Sequence, residues 1–278
     1  MTTAMPTVAV QGVNVPWILY GTAWKEERTT ELTLAALAAG FRGIDTANQR
    51  KHYAEADVGR GIAGAGIPRE RLFVQTKYTY ARGQDHRLPY EASASIAQQV
   101  EQSCASSLRH LGVEKLDAFL LHGPERTNGW SAHDREAWTA MEALHRRGVV
   151  RLLGVSNVEL HHLDGLMAHA TVEPAFVQNR CHARTGWDRE VRAWCSDRGV
   201  RYQGFSLLTA NKTELARPEV AAIAKRHGAG VPEVVFAFAR QVGIIVLTGT
   251  SDPAHMRADL AAGTLTLDAT EVRELLEG

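Results

Sequence analysis

Short apolar runs alternate with amphipathic stretches along almost the whole chain. Eight of these runs are apolar at consecutive positions, which is typical of parallel strands buried on both faces. They predict strands over Ile18–Gly21, Gly43–Ile44, Leu72–Thr76, Leu116–Leu121, Leu152–Val155, Phe176–Val177, Tyr202–Ser206 and Ile244–Leu247. Apolar positions at helical spacing predict helices between them, over Thr30–Ala39, Ala54–Ala63, Ser93–Leu111, Asp134–Arg147, Leu160–Ala168, Asp188–Asp197 and Val231–Arg240.

Glycines mark several of these boundaries. Gly40, Gly112 and Gly148 each follow a predicted helix, where a left-handed cap favours glycine. A further helix is predicted over Pro218–His227. The first residues, Val8–Val15, predict a small hairpin that closes one end of the fold.

Strands that alternate with helices fit two architectures, the TIM barrel and the open doubly wound sheet. The count of eight strands suits the barrel. A dinucleotide-binding sheet would carry Gly-x-Gly-x-x-Gly directly after an early strand, but Gly59-Arg60-Gly61 lies inside a predicted helix. No low-complexity stretch or linker divides the chain. We therefore predict one domain over residues 1–278, an α/β TIM (β/α)8 barrel with a short N-terminal hairpin.

Composition narrows the class of protein. The 278 residues carry 31 basic and 31 acidic side chains, and this zero net charge argues against a nucleic-acid or anionic-membrane partner. No apolar run is long enough to span a bilayer, and Met1–Pro6 lacks the features of a signal peptide. Cys104, Cys181 and Cys195 are too widely spaced for a zinc motif or a disulfide framework. We expect a cytoplasmic protein without a bound metal.

Polar residues that follow the strands suggest where chemistry takes place. In a TIM barrel the active site lies at the carboxyl ends of the strands, and Asp45, Lys77 and His122 follow the second, third and fourth predicted strands. Together these residues can do acid–base work. Taken singly, Asp45 can be a helix cap and His122 a structural histidine. A lysine directly after a buried strand must find a partner or reach solvent.

Five motifs follow one another in a specific order and spacing. They are Phe-Arg-Gly-Ile-Asp-Thr-Ala (41–47), Val-Gly-Arg-Gly-Ile (58–62), Val-Gln-Thr-Lys (74–77), Leu-Asp-Ala-Phe-Leu-Leu-His-Gly-Pro (116–124) and Leu-Gly-Val-Ser-Asn (153–157). From Gly21 to about Asp259 the chain resembles the aldo-keto reductase family. The resemblance implies a TIM barrel that binds NADPH or NADH and transfers hydride between the nicotinamide and a carbonyl or alcohol.

The resemblance also implies a proton-donating tyrosine supported by an aspartate, a lysine and a histidine, which Asp45, Lys77 and His122 match directly. At the usual spacing of the tyrosine this chain has Arg50. We interpret Asn48–His52 as a small insertion and predict that the next residue is the proton donor. That residue is Tyr53, which can also be only the aromatic residue that begins a helix. The alternative donors are Tyr78, Tyr80 and His52.

The four residues predict a coherent proton-transfer site. A free tyrosine has a pKa near 10, and a neighbouring ammonium lowers it by stabilising the phenolate. We expect an ionised Asp45 to hold Lys77 charged and aimed at Tyr53. His122 can hydrogen-bond the substrate oxygen or share in the proton relay.

Residues that the resemblance assigns to the cofactor also follow the strands. Ser156, Asn157 and Gln178 match residues that hydrogen-bond the nicotinamide amide. Phe205 matches the aromatic residue that stacks on the nicotinamide, with core packing as its alternative. The other positions of the implied cofactor site are Gly21, Thr22, Ser206, Leu208, Thr248, Gly249, Thr250, His255 and Asp259.

The region after the last strand departs from the family pattern. The family often has Lys-Ser there, with an arginine beyond, to hold the 2′-phosphate of NADPH. Here Gly249 replaces the lysine, Thr250 can still contact phosphate, and His255 or Arg257 can supply a cation. Asp259 falls where the family often has an adenine-contacting amide. NADPH is the expected cofactor, and NADH is the alternative.

Substrate contacts carry the weakest signal. Trp24 and Trp130 follow the first and fourth strands and either wall an apolar pocket or are simply buried. The long charged loop Tyr78–Tyr90 suggests a polar substrate or a lid, with a solvated excursion as the alternative. We expect a small-molecule carbonyl substrate and a monomeric enzyme.

Two other functions are compatible with the barrel. In a lyase or aldolase Lys77 would form a Schiff base, although an ion-paired lysine stays protonated and non-nucleophilic. The shifted tyrosine also suits a non-catalytic, regulatory relative that binds the nicotinamide cofactor as a sensor. A metal-dependent hydrolase is disfavoured, because His161 and His162 lack a matching acidic ligand.

Overall fold

Ten strands build one hairpin and one closed barrel in the computed structural model, which describes residues 5–277. The strands are β1 (Thr7–Val10), β2 (Val13–Pro16), β3 (Ile18–Gly21), β4 (Gly43–Asp45), β5 (Phe73–Tyr78), β6 (Leu116–Leu121), β7 (Val150–Ser156), β8 (Phe176–Arg180), β9 (Arg201–Phe205) and β10 (Ile244–Thr248). Strands β3 to β10 run parallel, each beside the next along the chain, and β10 pairs with β3 to close the ring. The eight predicted barrel strands and the hairpin are confirmed.

Helices surround the barrel. They are α1 (Thr29–Ala39), α2 (Glu55–Gly64), α3 (Ile96–Leu111), α4 (Ala132–Arg146), α5 (Leu160–Met167), α6 (Arg189–Asp197), α7 (Lys212–Leu215), α8 (Pro218–His227), α9 (Val231–Gln241), α10 (Pro253–Ala261) and α11 (Ala269–Glu277). The predicted helices are confirmed, with some ends shifted. The largest shift is at α3, which begins at Ile96 because the Ser95 side chain accepts the Gln98 N–H and caps the helix there.

Three helices were not predicted: α7, α10 and α11. Helix α10 illustrates the reason. It begins after Asp252, whose side chain caps the Ala254 N–H, and its buried residues are Met256 and Asp259. An aspartate in the buried position interrupts the apolar stripe by which an amphipathic helix is recognised.

The barrel interior changes character along its axis. Side chains at alternate strand positions point inward. At the hairpin end the interior is filled by apolar side chains, among them Val10, Val13, Val15, Leu19, Phe73, Leu120, Phe176 and Ile245. Nearer the carboxyl ends of the strands the buried side chains at the same alternation are polar, namely Asp45, Gln75, Lys77, Gln178 and Gln203. The hairpin therefore closes an apolar end of the barrel, and the polar end is the mouth.

Candidate active site

The predicted site residues share one register of the barrel. Along β5 the inward positions are Phe73, Gln75 and Lys77, and along β6 the same alternation places His122 directly beyond inward Leu120. Because every second residue of a strand faces the same side, the inward side chains of neighbouring strands converge at the mouth.

A buried ion pair forms the centre of the site. Lys77 Nζ donates to both carboxylate oxygens of Asp45, at 2.8 and 2.7 Å, and to the Thr46 carbonyl at 2.9 Å. Lys77 is 1% exposed and Asp45 is 3% exposed. Burial lowers the pKa of Lys77, and the adjacent carboxylate opposes that shift. Since three acceptors surround Nζ, all three N–H donors of a charged ammonium are satisfied.

Glutamines inside the barrel hold the carboxylate of this pair. Gln75 Nε2 and Gln178 Nε2 donate to Asp45 Oδ1 at 2.6 and 3.0 Å. Both also donate to Gln203 Oε1 at 2.8 Å, and Gln203 Nε2 donates back to Gln75 Oε1 at 2.9 Å. The Asp45 carboxylate can only accept hydrogen bonds, so Gln75 and Gln178 must each turn the Nε2 of the side-chain amide toward it. These bonds fix the Gln178 Nε2 inward and leave its Oε1 as the atom available to a ligand.

Gln75 and Gln203 were missed by the sequence analysis. Each stands inside an apolar strand run, in Phe-Val-Gln-Thr-Lys and Tyr-Gln-Gly-Phe respectively. A lone glutamine at a fully buried strand position must find hydrogen-bond partners, and that rule was the available signal.

The short segment 48–52 brings Tyr53 to the mouth. Tyr53 N–H donates to the Gln49 carbonyl at 3.0 Å, which forms a single turn ahead of α2. Asn48 anchors this turn, because its side chain donates to the Ser103 carbonyl and its own carbonyl accepts from the Gln84 side chain. The segment that we interpret as an insertion is thus tied to both α3 and the loop after β5.

Tyr53 lies between the two other reactive groups. Lys77 Nζ is 5.6 Å from the centroid of the Tyr53 ring, and the His122 ring meets it edge-on at a centroid distance of 6.0 Å. Burial and the Asp45 carboxylate raise the pKa of Tyr53 above its ordinary value. The lowering of this pKa that we expected from Lys77 is wrong for the site as it stands, because burial disfavours the phenolate and the negative charge of Asp45 repels it.

The hydroxyls of the two alternative tyrosines are hydrogen-bonded to residues of the surrounding helices. Tyr78 is next to Lys77 on β5 and so faces outward, where its hydroxyl donates to Gln99 Oε1 at 3.2 Å. The Tyr80 hydroxyl donates to Asp134 Oδ1 at 2.8 Å. The ring of His52 stacks on exposed Trp24 at a centroid distance of 3.8 Å.

His122 is a neutral imidazole in this setting. Burial, reinforced by the positive charge of Lys77, lowers its pKa to about 3. Its Nδ1 lies 2.7 Å from the Thr79 hydroxyl oxygen. Its backbone is fixed on both sides, because its N–H donates to the Tyr78 carbonyl and its carbonyl accepts from the Asn157 side chain.

Unusual backbone conformations collect at the mouth. Trp24, Asn157 and Ser206 follow β3, β7 and β9, and all have positive φ, at 59°, 55° and 59°. Non-glycine residues in this region carry strain that often accompanies binding sites. Two of the three, Asn157 and Ser206, belong to the predicted cofactor set.

The predicted nicotinamide residues lie at or just after the carboxyl ends of β7, β8 and β9. Ser156 is buried at the end of β7, and its Oγ accepts from the Asn157 side chain at 3.1 Å. Gln178 bonds Asp45 as described above. Phe205 is half-buried at the end of β9, with the Arg180 guanidinium 5.5 Å from its ring centroid. Leu208 and Ser206, after β9, are also half-buried at this mouth.

The remaining cofactor positions flank the β3–β10 seam. Thr22 donates to the Asp45 carbonyl at 3.0 Å, and a Cβ at Gly21 would lie 3.3 Å from the Thr248 carbonyl. Thr248 Oγ1 donates to buried Asp259 at 2.7 Å. The Thr250 carbonyl accepts from the Tyr20 hydroxyl at 3.0 Å, which ties this loop to β3.

Lys25 was not predicted, yet it reaches this seam. Its ammonium donates to the carbonyl of Gly249, and a Cβ at position 249 would lie 3.6 Å from Lys25 Nζ. The Lys25 ammonium, which comes from the loop after β3, therefore lies next to Gly249, the position at which the family often has a lysine. His255 and Arg257, the predicted sources of a cation, are exposed on α10.

A cavity of about 370 Å³ opens beside His122. Polar residues are frequent in its lining, which comes largely from the loops after β5, β6 and β7 and includes Gln49, Thr79, Arg82, Arg126, Asn157 and Glu159. Neither predicted tryptophan lines it. Trp24 is exposed beside His52, and Trp130 packs closely against Gly165 of α5.

Comparison with known proteins identifies the family and the fold. The model of the aldo/keto reductase family matches residues 17–277. An aldo-keto reductase of Mycolicibacterium paratuberculosis is 33% identical, over 99% of this chain and 90% of its own. The glyoxal reductase of Bacillus subtilis is 30% identical, over 85% of this chain and 79% of its own. The crystal structure of an aldo/keto reductase from Brucella melitensis superposes with a TM-score of 0.85, at 25% identity over 98% of this chain and 99% of its own.

The chain belongs to the aldo/keto reductase family. It is an oxidoreductase of the class that reduces carbonyl compounds with a nicotinamide cofactor. Within residues 5–277, no helix combines the length and the apolar character that a membrane crossing requires. The same residues contain no group of three or more His, Cys, Asp or Glu side chains arranged to hold a metal ion.

Proposed function

We propose that this enzyme uses NADPH to reduce small, polar aldehydes or ketones, with Tyr53 as the proton donor. The observation that carries the proposal is the Lys77 ammonium, which Asp45 holds within 5.6 Å of the Tyr53 ring centroid. His122 completes the set at the edge of the same ring.

The residues at the mouth fit a nicotinamide cofactor. The glutamine bonds leave Gln178 Oε1 available to accept from a carboxamide N–H. Ser156 and Asn157 offer a hydroxyl and an amide at the end of the neighbouring strand. When bound, the nicotinamide supplies the hydride.

The protein's own residues handle the proton. The raised pKa of Tyr53 keeps its phenol protonated at neutral pH, which is the form that an acid requires. Neutral His122 can donate a hydrogen bond to the carbonyl oxygen, and Tyr53 gives that oxygen its proton. The Lys77 ammonium then stabilises the phenolate that is left behind.

The cavity beside His122 supports a polar substrate. Arginine, threonine, glutamine and asparagine side chains line it, and its volume of about 370 Å³ suits a small molecule. A relative in Bacillus subtilis is named a glyoxal reductase, and glyoxal is a small, polar dicarbonyl. We therefore propose short, oxygen-rich carbonyl compounds as the substrate class.

Neither alternative function gains support. A Schiff-base lysine must lose its proton and reach its substrate, whereas Lys77 is 1% exposed and bonded to three acceptors. The regulatory alternative was motivated by the shift of the tyrosine along the chain, and the position of Tyr53 beside Lys77 and His122 removes that motive.

The decisive experiment compares wild type with Tyr53→Phe. NADPH and NADH binding are measured by fluorescence titration, and turnover is measured with short aldehydes, ketones and dicarbonyls. We expect both proteins to bind NADPH and only wild type to turn over. Full activity in Tyr53→Phe would contradict the role of Tyr53, and absence of cofactor binding would contradict the function. Borohydride trapping with a carbonyl substrate should give no adduct at Lys77.

We also propose that the enzyme acts as a monomer in the cytoplasm. Cys104, Cys181 and Cys195 are all buried and free, which suits a reducing compartment. Among the described residues, Trp24 is the large apolar side chain that is well exposed, so no broad apolar patch calls for a partner. Light scattering of the purified protein tests the monomer directly.

A further inference from the structure

The side chain of Thr79 makes one hydrogen bond at the active site among the described residues. Thr79 follows β5 two residues after Lys77 and is 6% exposed. Its Oγ1 lies 2.7 Å from His122 Nδ1. Within residues 5–277, His122 Nδ1 is the hydrogen-bond partner of this hydroxyl.

The chemistry of the pair fixes the direction of the bond. A neutral imidazole carries one N–H, on either Nδ1 or Nε2. If Nδ1 carried it, the Thr79 oxygen would accept, and the hydroxyl hydrogen would have no acceptor among the described residues, which is unfavourable for a hydroxyl that is largely withdrawn from solvent. If the hydroxyl donates to Nδ1, both groups of this contact are satisfied, and the N–H lies on Nε2.

The other ring nitrogen is the one available to substrate. His122 lines the cavity at the mouth, and its backbone is held by the Tyr78 carbonyl and the Asn157 side chain. The structure gives Nε2 no hydrogen-bond partner among the described residues, so a hydrogen there can reach a carbonyl oxygen in the cavity.

We propose that Thr79 is a positioning residue that fixes His122 as the Nε2–H tautomer, a hydrogen-bond donor to the substrate oxygen. This inference rests on the proposed function for its catalytic consequence. The tautomer itself is a property of the protein without substrate, and it can be measured separately.

The test compares Thr79→Val with Thr79→Ser. Valine matches threonine in shape but lacks the hydroxyl, whereas serine restores it. Histidine-selective ¹⁵N labelling with long-range ¹H–¹⁵N spectra reports the tautomer, and His122→Gln identifies the His122 signals. We expect the Nε2–H form in wild type and Thr79→Ser, and a mixture containing Nδ1–H in Thr79→Val.

Kinetics supply the second readout. We expect kcat to fall about tenfold or more in Thr79→Val and to recover in Thr79→Ser, because a misaligned donor loses part of an oxyanion-type contact. The Kd for NADPH should not change, which shows that the variant folds. An Nδ1–H tautomer in wild type, or an unchanged tautomer and kcat in Thr79→Val, would overturn the proposal. An Nε2–H tautomer in a protein that reduces no carbonyl would instead contradict the proposed function.

Discussion

The catalytic centre and the outer end of the cofactor site are built differently. At the centre, side chains from β4, β5, β8 and β9 bond one another inside the barrel, and Lys77 is 1% exposed. At the outer end, Gly249 in the loop after β10 and His255 on α10 are exposed, and the Lys25 ammonium donates to the Gly249 carbonyl. The first region is fixed by many mutual bonds and the second by few.

The difference follows from where the side chains are attached. A strand position inherits its direction from the ladder, so an inward residue near a strand end must face the mouth. A loop residue has no such constraint, and a cation can come from any nearby segment. We therefore expect substitutions at the centre to affect catalysis strongly, and substitutions at the outer end to adjust cofactor affinity.

Lys77→Met gives the largest expected effect. Removing the ammonium leaves Tyr53 without a charge to stabilise its phenolate, and we expect kcat to fall by about 10³-fold, within the range for acid–base groups. Steady-state turnover measures the loss. Because Asp45 would be left buried and unpaired, the double variant Lys77→Met/Asp45→Asn is the control for stability. Activity within tenfold of wild type in either variant would contradict the role of the pair.

Gln75→Leu should have the next largest effect. It removes one donor from Asp45 and one partner from Gln203, and we expect kcat to fall about tenfold with a loss of roughly 1–3 kcal/mol in the free energy of unfolding. Gln99→Leu is the matched control, because Gln99 is also buried but bonds Tyr78 outside the barrel. If Gln75→Leu and Gln99→Leu lose similar stability and both keep the wild-type kcat, Gln75 has a structural role and does not position the catalytic groups.

Lys25→Met tests the outer end. If Lys25 replaces the missing lysine at Gly249, its loss should raise the Kd for NADPH about tenfold and change the Kd for NADH much less, since NADH lacks the 2′-phosphate. Fluorescence titration gives both constants. His255→Ala and Arg257→Met run beside it, and a larger effect from either would assign the cation to α10.

Sequence patterns predicted the barrel because its strands and helices depend on periodic positions, and the same positions led to the catalytic set that we propose. Asp45, Lys77 and His122 were recognisable as the polar ends of apolar strands. The direction of the Thr79 bond and the reach of Lys25 depend on distances between loops, which no local pattern records. The raised pKa of Tyr53 was missed for the same reason, since it results from burial and from the charge balance of a folded site.

Asp259→Asn should produce the smallest change, and its sign depends on pH. Burial raises the pKa of Asp259 to about 6, although the Thr248 hydroxyl partly opposes this. The folded protein then holds a proton that the unfolded chain releases near pH 4, so this carboxyl makes the fold less stable as the pH rises through 4 to 6.

Asparagine removes the charge and still accepts from Thr248. We expect a gain of about 1 to 2 kcal/mol in the free energy of unfolding at pH 8, and almost none at pH 4, from urea titrations. Exposed Asp252→Asn, at the start of the same helix, is the control, because its pKa is lowered by the Ala254 N–H and it should gain nothing. Equal stability of Asp259→Asn and wild type at pH 8 would mean that the outer end tolerates this buried carboxylate without cost.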